Sequence, residues 1–109
     1  MGDSPEPEEV RRVLAAADRL HDRAAMEAAL DRMAAAVAAD LEDRNPLLLG
    51  VMVGGVVPLA GLLTRLRFPL EVDYLHATRY RGDTRGGELH WLARPRTPLA
   101  GRDVLVVDD

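Results

Sequence analysis

The chain has no cysteine and no lysine, one serine and three histidines among its 109 residues. Without cysteine, disulfide scaffolds, thiolate metal sites and thiol nucleophiles are excluded. The one serine, Ser4, reads as a helix cap, so no Ser-His-Asp nucleophilic arrangement can be assembled. His21, His76 and His90 lack the spacing of metal-ligand pairs, which leaves surface or hydrogen-bonded structural roles. The longest uncharged run, Pro46 to Thr64, is broken by four glycines and two prolines, and does not read as a membrane helix. The start, Met1-Gly2-Asp3-Ser4-Pro5-Glu6, is acidic where a secretory leader would be basic and then apolar. A cytoplasmic protein with no membrane partner is expected.

What is present is an ordinary globular balance, 48% hydrophobic and 29% charged in 11.9 kDa. That size supports one modest core, so a single domain is expected over 1–109. Within it we distinguish a helical segment, 1–43, and an α/β segment, 44–109. The net charge of −4 is unevenly spread. Residues 1–43 hold eleven acids and five arginines, a balance of −6; residues 44–109 hold seven acids and nine arginines, a balance of +2. All fourteen cations are arginine, a bias that base composition accounts for. An acidic chain without a basic stripe argues against a nucleic-acid partner. It leaves room for an anionic small molecule held by a few local groups.

Ser4-Pro5-Glu6 predicts a helix start, with serine as cap, proline at the first position and acids in the first turn. Val10, Val13, Leu14, Ala17 and Leu20 follow at helical spacing. Asp22 can cap a second helix with the stripe Met26, Ala29, Leu30, Met33, Val37 and Leu41. Twelve alanines between Ala15 and Ala39 favour helix but supply little core volume, so these helices are expected to cover something or pack on a partner. Asn45-Pro46 ends the second helix. Leu47 to Val53 reads as a strand buried on both faces, Gly54-Gly55 as a turn, and Leu59, Leu62, Leu63 and Leu66 as a helix with Pro58 near its first turn. Leu70 to His76 predicts a second strand, Arg79 to Gly87 a loop, Glu88 to Ala93 a third strand, and Asp103 to Val107 a fully buried fourth. Phe68 and Trp91 are expected in the core. The alternation predicts an α/β fold, a mostly parallel sheet flanked by helices and preceded by two N-terminal helices.

Three features can carry chemistry. Met52-Val53-Gly54-Gly55 sits at the carboxyl end of a buried strand, where α/β sheets bind ligands and glycines let backbone N–H groups approach a phosphate. It has neither the lysine of a Walker loop nor a dinucleotide fingerprint, and a tight turn without ligand is the plainer reading. Arg79-Tyr80-Arg81-Gly82-Asp83-Thr84-Arg85-Gly86-Gly87 is cationic and glycine-rich, either a lid over phosphate oxygens or a solvated hairpin loop. Asp108-Asp109 follows an apolar strand, where two carboxylates can accept from sugar hydroxyls or hold hydrated Mg²⁺, or do neither.

Taken together and in this order, the three features resemble the hypoxanthine-guanine phosphoribosyltransferases, within the type I purine phosphoribosyltransferases. Met52-Val53-Gly54-Gly55 is similar to the family's pyrophosphate-binding loop, including the position where a non-proline cis peptide is commonly found, which the resemblance places at Met52–Val53. Val72-Asp73-Tyr74-Leu75-His76 with Arg79-Tyr80 and Gly86-Gly87 is similar to the strand and flexible catalytic loop. Leu99 to Asp109 resembles the approach to the phosphoribosyl-pyrophosphate motif. The resemblance implies a Mg²⁺-dependent transfer of the phosphoribosyl group from phosphoribosyl pyrophosphate to hypoxanthine or guanine, releasing pyrophosphate, in purine salvage. It implies pyrophosphate on the backbone of Val53, Gly54 and Gly55, and ribose hydroxyls on Asp108 and Asp109. The same two acids would bind Mg²⁺ directly or through water, and Arg79 and Tyr80 would close over the reaction. It also implies a homodimer or homotetramer.

Two departures qualify the resemblance. Val53 stands where several relatives carry lysine or another polar residue, so only backbone donors remain there. The rest of the phosphoribosyl-pyrophosphate loop and the base-reading residues would follow Asp109, so this chain alone is expected to be a partial domain, inactive as a catalyst. The alternatives are a catalytically silent regulatory relative and an oligomerisation module acting through the alanine-rich helices.

Overall fold

A computed structural model of the chain describes residues 6–16, 22–79 and 88–109. Helix α1 spans Pro7–Ala16 and α2 spans Arg23–Leu41. They are followed by β1 (Leu47–Val51), α3 (Val56–Leu63), β2 (Glu71–Arg79), β3 (Leu89–Ala93) and β4 (Val104–Val107). The proposed cap Ser4 and Pro5 lie outside the described residues; the first helical position is taken by Pro7, whose fixed φ and missing N–H suit it. Asp22 caps α2 as expected, its Oδ1 accepting the Ala25 N–H at 2.7 Å.

The four strands form one sheet in the order β3-β2-β1-β4, with β1 parallel to β2 and β4 and with β3 antiparallel to β2. The apolar run Leu47-Leu48-Leu49 sits in the middle of this sheet at 0%, 0% and 3% exposure, buried on both faces. One face carries the core: Leu48 packs with Leu59 and Leu62 of α3, Ala34 of α2 and Val107 of β4. Helix α2 lends that core only Ala34 and Val37; Met26 and Met33 of its apolar stripe stay about half exposed. Arg65 locks α2 to α3, donating to Glu27 at 2.6 Å, to Asp31 at 2.8 Å and to the Gly61 carbonyl at 2.9 Å. The bond to Asp31, chiefly, raises its already high pKa.

The other face is crossed by the connection from β3 to β4. Asp73, opposite Leu49 in the β1–β2 register, holds that connection by accepting the Arg96 and Thr97 N–H groups at 2.7 Å each. At the base of the sheet Arg102 donates to Glu71 at 2.8 Å and to the Asn45 carbonyl at 3.0 Å. Asn45 itself adopts φ 45°, a left-handed conformation that asparagine tolerates, and turns the chain into β1.

Three expectations are corrected. Strand β4 is not buried throughout: Val104 and Val106 are 36% and 59% exposed, because β4 pairs with β1 alone among the described residues. Trp91 lies on the opposite edge strand at 38% exposure, and Phe68 is half-buried, so neither is a core residue. Strand β2 runs three residues past His76, since Ala77, Thr78 and Arg79 find antiparallel partners in Trp91, His90 and Leu89. Arg79 is therefore a strand residue rather than the start of a loop. No helix among the described residues is long and apolar enough to cross a membrane.

Candidate active site

The carboxyl ends of β1 and β4 meet at one corner of the sheet, and the turn from Met52 to Gly55 bridges them. Gly55 is where the approach is closest. A Cβ added there would lie 2.5 Å from the Val107 carbonyl oxygen and 2.8 Å from that of Val51, so only glycine fits between the two strands. Gly54 is crowded by the acidic pair instead: an added Cβ would lie 2.6 Å from the carboxyl carbon of Asp109. Two of the three sequence features, the glycine turn and Asp108-Asp109, thus share one site. Strand pairing puts them there, since Gly50 and Val107 are register partners.

Backbone hydrogen bonds divide the donors of this turn. The Met52 N–H donates to the Leu75 carbonyl at 2.8 Å, Gly55 N–H to Val51 at 2.7 Å and Val56 N–H to Val53 at 3.1 Å. Among the described residues no acceptor is found for the N–H groups of Val53 and Gly54, nor for that of Val57 in the first turn of α3. Pro58 has no N–H at all, which removes one further orphan donor. The peptide between Met52 and Val53 is cis. Free amides and the positive end of a helix dipole together make a place for an anion.

The two acids differ. Asp108 accepts its neighbour's N–H, from Asp109, at 2.8 Å, and stands beside Pro58 and Leu62 at an apolar groove that Met33 and Val37 also line. Asp109 lies over the turn. An anion on the Val53 and Gly54 amides would then press against the Asp109 carboxylate, a like-charge contact that calls for a cation between them. No cluster of three or more metal-ligating side chains occurs among the described residues. Two carboxylates with oxygen donors only are what Mg²⁺ accepts when water and substrate phosphate complete its shell, so the donor set fits that ion.

Arg79 stands apart. It lies four residues beyond Leu75, the partner of Val51, or roughly 13 Å further along β2 at about 3.3 Å per residue. The structure does not bring it to the corner, and Tyr80 lies outside the described residues, as does the remainder of the 80–87 segment. Asp73 is the residue that sequence reasoning missed. Its carboxyl is held below the usual carboxylate range, chiefly by the Thr97 N–H, with further donation from Tyr74 and Arg96. The signal was an acid within Val72-Asp73-Tyr74-Leu75, where a sheet face demands that every carboxylate find donors.

Comparison with known proteins agrees with this geometry. Residues 16–109 match the phosphoribosyl transferase domain family. A hypoxanthine-guanine-xanthine phosphoribosyltransferase of Tritrichomonas foetus is 33% identical over the whole chain and 56% of its own length. A hypoxanthine-guanine phosphoribosyltransferase of Lactococcus lactis subsp. lactis is 37% identical over 71 residues, 64% of this chain and 39% of that one. Among solved structures, a hypoxanthine-guanine-xanthine phosphoribosyltransferase superposes with a TM-score of 0.71 at 28% identity, covering 82% of this chain and 49% of the other. The chain spans about half the length of the relatives it matches. Its fold is that of the type I phosphoribosyltransferases, and the chain belongs to the phosphoribosyl transferase domain family.

Proposed function

We propose that this chain contributes the donor-binding half of a purine phosphoribosyltransferase of the hypoxanthine-guanine type. The reaction transfers the 5-phosphoribosyl group of phosphoribosyl pyrophosphate to hypoxanthine or guanine and releases pyrophosphate, the purine-salvage step. One observation carries this reading: the Asp109 carboxylate lies against Gly54, beside two amides that have no acceptor among the described residues.

In this reading the Val53 and Gly54 N–H groups hold a pyrophosphate oxygen and Gly55 keeps the turn close enough for them to reach it. Asp108 and Asp109 accept from the ribose hydroxyls, fixing the sugar carbon that is attacked. The same carboxylates hold Mg²⁺, which when bound neutralises charge on the departing pyrophosphate. Arg79 and Tyr80 close over the donor and exclude water that would otherwise hydrolyse it. With Val53 at the second position of the turn, no side-chain cation assists there, so the backbone and the metal share that work.

The test is purine-dependent release of pyrophosphate from phosphoribosyl pyrophosphate with Mg²⁺, together with binding of the donor to this chain by calorimetry. Donor binding that requires Mg²⁺ supports the reading. Binding without turnover in the complete enzyme favours the catalytically silent alternative, and absence of binding overturns both. Self-association to a dimer or tetramer belongs to the same proposal. It is supported by the exposed stripe Val10, Val13 and Leu14 on α1, at 40%, 64% and 69%. Sedimentation of a Val13→Asp, Leu14→Asp variant tests it, and unchanged mass would remove it.

A further inference from the structure

Strand β3 is a sheet edge built without the usual protection. Its five residues, Leu89-His90-Trp91-Leu92-Ala93, include no carboxylate and no guanidinium, and among the described residues β3 pairs with β2 alone. Leu89, Trp91 and Leu92 are 51%, 38% and 62% exposed. Edge strands are ordinarily guarded by charge or proline, because their unpaired N–H and C=O groups template another strand. Here the charges stand one residue outside each end, Glu88 before the strand and Arg94 after it. Neither belongs to an ion pair of the described residues, whose cations are Arg44, Arg65 and Arg102. Arg94 stands over Trp91, 4.7 Å from the ring centroid.

That charge pattern selects a partner. Two copies of β3 related by a two-fold axis at Trp91 run antiparallel, so Leu89 of one faces Ala93 of the other and His90 faces Leu92. The next pair outward is Glu88 opposite Arg94, and the symmetry makes it at both ends. Directly opposed Cβ atoms lie about 4.5–5.5 Å apart, within reach of an ion pair. Pro95 biases Arg94 to an extended conformation, so the ladder geometry carries on to that position. Leu89, Trp91 and Ala93 share one face of the strand, and their stripe continues across the axis. Strand β4, the other edge among the described residues, lacks this complementarity. Pairing β4 with its own copy, Val104 opposite Val107, would set Asp103 against Asp108, acid on acid. We propose that the outer edge of β3 is a contact between two copies of this chain, joined antiparallel about Trp91 and closed at each end by a Glu88–Arg94 pair. The contact is separate from the α1 stripe and uses no residue of the glycine turn or the acidic pair.

Sedimentation of the Val13→Asp, Leu14→Asp chain isolates this contact from any association through α1. Five paired residues, roughly 17 Å of strand, make a small interface, so a monomer–dimer equilibrium is expected between roughly 1 μM and 1 mM. In that parent chain Glu88→Arg sets arginine against arginine, and Arg94→Glu sets acid against acid. Each should weaken dimerisation by about tenfold or more. Mixed in equal amounts, the two variants should pair with each other as tightly as the parent, because both end contacts then join an arginine to a glutamate. Trp91, the only tryptophan of the chain, should move its emission to shorter wavelength as the parent dimerises. The pairing is refuted by a parent that stays monomeric at the highest concentration, by a charge reversal that dimerises as well as the parent, or by a mixture that restores nothing. Emission that ignores concentration while the mass doubles places the contact elsewhere and refutes it too. Growth beyond a dimer also rules it out, since an isologous contact consumes both edges.

Discussion

Replacing Gly55 by alanine separates the two demands on the turn, because the same change next door has the opposite consequence. At Gly55 the new methyl would lie 2.5 Å from the Val107 carbonyl oxygen, where 3.4 Å is the lower limit of ordinary contact. About 0.9 Å of backbone movement is therefore needed, and both obstacles, Val51 and Val107, belong to paired strands. Overpacking a well-packed site costs about 1–3 kcal/mol, and stiff neighbours put this case in the upper part. Gly55 has an ordinary φ of −76°, so alanine gains roughly 0.4–1 kcal/mol by restricting the unfolded chain. The net loss is about 1–2 kcal/mol, or a fall in Tm of roughly 5–15 °C for a domain of this size. At Gly54 the obstacle is the Asp109 side chain, which can swing aside. Gly54→Ala should leave Tm within about 2–4 °C of wild type, a surface-level change, while displacing the carboxylate and weakening Mg²⁺-dependent donor binding. Scanning calorimetry and donor titration on the two variants decide it. A Gly55→Ala protein as stable as wild type would refute the packing of β1 against β4 described above.

Other outcomes follow from the same geometry. Asp73→Asn should cost about 1–2 kcal/mol in urea unfolding, since two 2.7 Å bonds to backbone N–H groups lose their charge assistance. Because its folded pKa is depressed, the Asp73 contribution is complete above the unfolded carboxylate pKa and is lost as pH falls through the lower folded value. Unfolding measured against pH should show that acid-side loss in wild type and a flatter profile in Asp73→Asn; identical profiles would contradict the clamp. Leu48→Ala, at 0% exposure amid Leu59, Leu62 and Val107, should cost about 2–5 kcal/mol and abolish the cooperative melting transition or lower it sharply. Asp109→Asn should weaken donor binding in the presence of Mg²⁺ far more than in its absence, and an equal effect in both would remove the metal role assigned to it.

The parts of the fold that were legible in the sequence are those where a local pattern and its tertiary use coincide. Asp22 caps α2 because a side chain three residues before an amide can reach it in any context. Leu47-Leu48-Leu49 is apolar at every position, and a strand flanked by neighbours on both sides buries every position. The same pattern misled at Val104-Leu105-Val106-Val107. The residues are equally apolar, but among the described residues β4 pairs with β1 alone, and Val106 stays 59% exposed. Composition reports what a strand can bury, and only its neighbours decide what it does bury.

The candidate site divides along the same line. Glycines after a strand and acids after another strand are visible separately in the sequence; that Gly54 and Asp109 touch follows from the parallel pairing of Leu47 to Gly50 with Val104 to Val107. Without that register each feature keeps its plainer reading, a turn and two surface acids. Which amides are free is hidden more deeply. Val53, Gly54 and Gly55 look equivalent as letters, and the difference arises because Val51 captures the Gly55 N–H as α3 begins. A donor for an anion is thus defined by what the surrounding bonds leave over, a quantity that only the folded backbone possesses. Asp73 illustrates the reverse. A single acid in an apolar strand is an obvious demand for donors, yet its partners, Arg96 and Thr97, come from more than twenty residues away across a connection without regular structure. The demand can be read from one strand, whereas the supply depends on how the chain returns.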